Sequence, residues 1–202
     1  MSSFIQQLIE NLQNTGIIEA IAVFFGILSV WFSKKENILV FPTGIVSVIL
    51  YIYICFYGKL YADMFVQFVY FAMSIYGWYN WTHTNGVLKP RPVTKLNLKS
   101  NILYIAITIL LFFIIRFILN QTDSDVPNID AFTTAIFLTA MWLMSRKRIE
   151  HWIYWLVGDS ISIPLYIHKN LALTSVQYAI FLVIAVFGYI EWKKSLEKTG
   201  GK

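Results

Sequence analysis

Seven stretches of this chain are apolar for long enough to cross a lipid bilayer, and that restricts the fold more than any other feature. They run from Gly16 to Phe32, Ile38 to Phe56, Tyr61 to Trp81, Leu103 to Leu119, Ile129 to Ser145, Ile149 to Ile167, and Ala172 to Trp192. At about 1.5 Å of rise per residue, each covers most of the roughly 30 Å of hydrocarbon in a membrane. The runs are apolar on all sides rather than alternating, so helices are expected and barrel strands are not. Of 202 residues, 57% are hydrophobic and 13% charged, leaving more apolar surface than a water-soluble domain of this size can hide. The expected fold class is an all-α membrane protein with seven transmembrane helices.

The basic residues orient it. Loops on one side hold Lys34 and Lys35; Lys89, Arg91, Lys95 and Lys99; Arg146, Lys147 and Arg148; and Lys193, Lys194, Lys198 and Lys202, whereas the other side holds only Lys59 and Lys169. Cytoplasmic loops collect lysine and arginine, so the carboxyl terminus is expected in the cytoplasm and, with seven crossings, the amino terminus outside. Topology thus accounts for the net charge of +5, and nucleic acid is not an expected partner. Residues 1–15 read as an interfacial helix, with Phe4, Ile5, Leu8, Ile9 and Leu12 on one stripe and Gln6, Gln7, Glu10 and Asn11 opposite. No basic start or small-residue cleavage site precedes the first span, so no cleaved signal peptide is expected. The single cysteine, Cys55, reads as a small packing residue.

Spans one to three echo spans five to seven. Glu19-Ala20 and Trp31 match Asp130-Ala131 and Trp142 at a separation of about 111 positions, and Lys34-Lys35 matches Arg146-Lys147 after a one-residue slip. Gly44 and Leu50-Tyr51 align with Gly158 and Leu165-Tyr166, which sets Gly44 or Ile45 opposite Asp159. Val66-Gln67 aligns with Val176-Gln177, and Gly77 to Trp81 with Gly188 to Trp192. The organisation expected is a first three-helix repeat over 16–81, a loop, linker helix and outer loop over 82–128, a second repeat over 129–192 and a cytoplasmic tail over 193–202. Equivalent helices lie four apart, so the repeats insert in parallel, an architecture of transporters whose ligand sits between the halves.

Most ionisable residues in the spans lie near an end, where snorkelling or end-pairing accounts for them. Asp159 lies midway along the sixth span, where a carboxylate costs about 2.5–3.5 kcal/mol to insert, so it is expected to face a cavity. Trp152, Trp155, Asp159, Ser162 and Tyr166 follow three- and four-residue steps along one helical face. A tryptophan one turn from a carboxylate offers both stacking and charge to a cationic aromatic ring. Pro164 frees the carbonyl of Ser160 as an acceptor beside them. Gln67 and Gln177, with Tyr70, Thr133, Thr134 and Trp142, are further candidates for contact with the ligand. No histidine pair has metal-ligand spacing, no phosphate loop is present and no nucleophile has a base, so no cofactor and no catalysis are expected.

The stretch from Arg146 to Asp159, continued by Pro164-Leu165-Tyr166 and Gly188-Tyr189-Ile190-Glu191-Trp192, resembles the Pnu family of bacterial vitamin transporters. The resemblance implies a three-plus-one-plus-three arrangement similar to full-length SWEET transporters, residence in the inner membrane and frequently a homotrimer. It also implies facilitated diffusion of a vitamin that is trapped inside by phosphorylation. Nicotinamide riboside members of the family carry Trp-x-x-x-Asn on the sixth helix, where this chain has Trp155-x-x-x-Asp159. The acid in place of the amide makes thiamine the expected substrate, ahead of nicotinamide riboside and riboflavin. A binding-only membrane subunit of a larger uptake system is the alternative from another class.

Overall fold

The computed structural model describes residues 2–14, 16–84, 86–122 and 125–198. They form helices α1 (Ser2–Asn14), α2 (Ile17–Lys34), α3 (Val40–Tyr57), α4 (Tyr61–Thr82), α5 (Leu98–Leu119), α6 (Pro127–Ser145), α7 (His151–His168) and α8 (Ala172–Lys198). A two-stranded hairpin, β1 (His83–Thr84) with β2 (Val87–Leu88), follows α4. The protein is therefore all-helical apart from this hairpin among the described residues. Helices α2, α3, α5 and α8 are long and apolar enough to cross a membrane by length and composition. The other three long helices, α4, α6 and α7, do not reach that apolarity. Residues from all three enter the cavity described below.

Two helix ends differ from expectation because a helix does not stop where its sequence turns polar. Helix α5 begins at Leu98 rather than Leu103, since the Asn97 side chain accepts from the Ser100 amide and caps a polar first turn. Helix α8 continues through Lys193 and Lys194 to Lys198, so most of the expected tail is helical. The predicted amphipathic helix at the amino terminus forms and is tied to the turn before α8 by Gln7 donating to Asn170 Oδ1 at 2.9 Å.

The two halves share their turns. Glu36 and Lys147 both take left-handed φ, 52° and 56°, and Lys59 and Asn170 take 58° and 59°. Each closes a helix end, with Asn37 N reaching Phe32 O and Arg148 N reaching Leu143 O at equivalent positions. Every such pair has the same separation as Trp81 and Trp192, leaving no room for a slip between them. The expected alignment is corrected accordingly. Glu36 matches Lys147, Asp159 matches Val48 rather than Gly44 or Ile45, and Gln67 matches Tyr178 rather than Gln177. Gly44 matches Trp155, and Leu50-Tyr51 matches Ile161-Ser162. Matched Glu36 and Lys147 also pair with each other at 3.1 Å.

Equivalent tryptophans lock the halves together. Trp81 Nε1 donates to Met144 O and Trp192 Nε1 to Ser33 O, each at 2.9 Å, and each acceptor belongs to the opposite half. Correspondingly, α2 packs on α8 and α4 on α6. Changing either Trp81 or Trp192 to phenylalanine keeps the ring but removes one hydrogen bond from a carbonyl that retains a backbone partner, Lys147 N on Met144 O or Glu36 N on Ser33 O, a loss of about 0.5–1.5 kcal/mol. The two variants are expected to lower the unfolding temperature in detergent by similar amounts. A loss confined to one would refute the equivalence.

Candidate functional site

Helices α2, α3, α4, α6, α7 and α8 enclose a cavity of about 370 Å³, to which α5 contributes none of the lining residues. That volume suits a small molecule. At one end it reaches half-buried Glu19, Leu173 and Thr174, and at the other it stops at buried Phe41 and Trp152. The lining includes two carboxylates, Glu19 and Asp159, and no lysine, arginine or histidine. A low-dielectric enclosure with only negative formal charge favours a cation.

Asp159 is 1% exposed, and neither carboxylate oxygen has a hydrogen-bond partner. A structural aspartate tying two helices would be paired, whereas this carboxylate's acceptor capacity is unused within the protein and the residue lines the cavity. One turn away, Trp155 stacks on Phe137 with centroids 5.2 Å apart. Phe137 stacks on Tyr178 at 5.7 Å and Tyr178 on Tyr166 at 5.1 Å, making one aromatic wall from three helices. The wall exists because Gly158 leaves space for the Phe137 ring, where any Cβ would overlap it. Gln67, Tyr70 and Gln177 also line the cavity, together with Tyr51.

Of the residues singled out from sequence, Trp152, Trp155, Asp159, Tyr166, Gln67, Tyr70 and Gln177 are therefore brought together. The other four are not. Ser162 is buried outside the lining, and Thr133 spends its hydroxyl on the carbonyls of Ile129 and Asp130. Thr134 and Trp142 face a separate apolar cavity between α4, α5 and α6, where Trp142 stacks on Tyr76 at 5.3 Å. Helix α6 turns a different face to the site, with Phe137, Met141 and Met144. Ser160 is exposed on the outside of α7, so the carbonyl that Pro164 frees does not serve the cavity. Sequence reasoning missed Phe137, Tyr178 and Tyr51. A gapless repeat alignment, which sets Tyr178 opposite Gln67, is the signal that points to Tyr178.

Long apolar helices around a buried cavity of this size define a multi-pass membrane protein that handles a small molecule. Residues 16–194 match the family model described as nicotinamide mononucleotide transporter. The chain belongs to this family, the Pnu vitamin transporters, which are transporters of the inner membrane and not an enzyme family. It is 26% identical to the nicotinamide riboside transporter PnuC of Escherichia coli (strain K12), over 92% of this chain and 88% of that one. It is 22% identical to the riboflavin/roseoflavin transporter RibM of Streptomyces davaonensis (strain DSM 101723 / JCM 4913 / KCC S-0913 / 768), over 83% and 80%. A crystal structure of the vitamin B3 transporter PnuC aligns with a TM-score of 0.75 and 25% identity, covering 98% of this chain and 89% of that one.

These similarities do not support thiamine as the first-ranked substrate and favour nicotinamide riboside. The physical reason is that both vitamins are cationic, so an acid in place of an amide does not separate them.

Proposed function

We propose that this protein carries nicotinamide riboside across the cytoplasmic membrane by facilitated diffusion, with phosphorylation inside the cell trapping it. The observation that carries the reading is the buried, unpartnered carboxylate of Asp159 one turn from Trp155. Nicotinamide riboside joins a cationic aromatic ring to a ribose. Trp155 supplies a face for the ring, and Asp159 supplies charge and acceptors. Gln67, Gln177 and Tyr70 supply polar contacts for the sugar, and Tyr166 closes the aromatic wall. We read the helices as a three-plus-one-plus-three bundle, α2–α4 and α6–α8 parallel and α5 the linker, spanning seven times with the amino terminus outside. The matched turns and tryptophan bonds support that layout, and family resemblance supports a homotrimer.

Purified protein in liposomes, with no nucleotide or partner, is expected to admit labelled nicotinamide riboside until inside and outside concentrations are equal. Thiamine and riboflavin are expected to enter more slowly. Accumulation beyond equality would require coupling and would overturn facilitated diffusion. Binding without entry would make the chain a capture subunit instead.

A further inference from the structure

We infer that Phe41 and Trp152 are the inner gate of the transport path, and that Gly77 and Gly188 are the seats that let them close it. The inference rests on the transporter reading but not on which vitamin is carried. Phe41 and Trp152 occupy matched places on α3 and α7, both 1% exposed, and both line the cavity where it ends. Gly77 and Gly188 occupy matched places on α4 and α8. A Cβ on Gly77 would overlap the Phe41 ring, and one on Gly188 would stand 2.5 Å from Trp152 Cζ2. Each half thus presses one aromatic ring into a glycine notch of its own third helix.

Behind these rings the path is filled. Phe41 meets Trp81 edge-on at 5.1 Å and Trp152 meets Trp192 edge-on at 5.9 Å, while Trp81 and Trp192 touch at 5.6 Å. Val93 and Ile149 complete the layer, and the 93–96 segment is held against it by Thr94 N to Lys147 O and Ile149 N to Thr94 O. The two outer tryptophans are fixed by their bonds to backbone carbonyls. Phe41 has no polar tie, and the Trp152 Nε1 has no hydrogen-bond partner. The rings adjoining the cavity are therefore held by packing alone and can leave their notches without breaking a hydrogen bond. The paired design lets both halves release together.

The test needs no ligand. Ser74, 2% exposed, lines the cavity one helical turn from Gly77, so Ser74→Cys in a Cys55→Ser background reports on the floor. A second reporter, Lys194→Cys, marks the side on which the gate lies, and a membrane-impermeant maleimide is applied to each face in turn. On the side where Lys194→Cys reacts, Ser74→Cys should be protected. Phe41→Ala and Gly77→Ala should each speed its labelling from that side by about tenfold or more, because each removes the ring from its seat. Phe41→Leu, which retains bulk, should lie between. Folding is checked by size-exclusion elution, and two variants on different helices guard against loss of one. Unchanged protection in folded Phe41→Ala or Gly77→Ala protein would overturn the gate. A failure of nicotinamide riboside to bind would overturn the substrate and leave this result standing.

Discussion

Asp159→Leu is expected to lower the affinity for nicotinamide riboside about a hundredfold or more while raising the unfolding temperature. Both directions follow from one fact: the carboxylate is buried with both oxygens unpartnered. Its desolvation is uncompensated within the protein, and an unsatisfied buried polar group costs about 1–3 kcal/mol, a penalty that an apolar side chain of similar size does not carry. The ligand loses charge-assisted hydrogen bonds worth about 1.5–3 kcal/mol each, and tenfold in affinity corresponds to about 1.4 kcal/mol. Asp159→Asn keeps an acceptor and loses the charge, so about tenfold is expected for a cation. Thiamine is cationic as well, so its affinity should fall by a similar factor. Calorimetric titration and thermal unfolding on the same preparations check both halves. A less stable Asp159→Leu protein with unchanged affinity would mean that the carboxylate holds the fold.

Asp159 was legible in the sequence because one carboxylate in the middle of an apolar run has few inexpensive places to be. The helices were legible for a related reason, since lipid demands a long uninterrupted apolar run and such runs are easily seen. What uniform apolarity erases is the face. A helix greasy all round has no stripe from which to read what it turns inward. That is why Thr134 and Trp142 were expected at the site when α6 in fact presents Phe137 and Met141. The repeat register failed differently. Its fixed points are the left-handed turns at Glu36, Lys147, Lys59 and Asn170, none of them glycine, and only Asn170 is of a residue type enriched in such a backbone. Aromatic and glycine matches one to four residues away looked as good as the true ones. The charge pattern misled slightly too, since matched Glu36 and Lys147 carry opposite charges because they pair with each other.

In the corrected register, bulk is exchanged between the halves. In the first half Gly26 faces Ser47, and in the second the matched positions hold Phe137 facing Gly158. The large residue moved to one helix and the notch to the other, which fills the second half's gap and leaves the cavity beside Gly26. Gly158→Ala is therefore expected to be costly. Its methyl overlaps the Phe137 ring, which is hemmed in by Trp155 at 5.2 Å and Tyr178 at 5.7 Å. Overpacking of this kind costs about 1–3 kcal/mol, and the gain of about 1 kcal/mol from alanine's better helix propensity offsets only part of it. The ring relieves the overlap by moving toward Trp155, so nicotinamide riboside affinity should fall about tenfold along with the unfolding temperature. Adding Phe137→Ala removes the overlap and should return most of the stability, giving a coupling of about 1 kcal/mol or more in a double-mutant cycle. Affinity should not return, because the stack that backs Trp155 is gone. A Gly158→Ala protein as stable and as tight-binding as the parent would show that the wall does not depend on this notch.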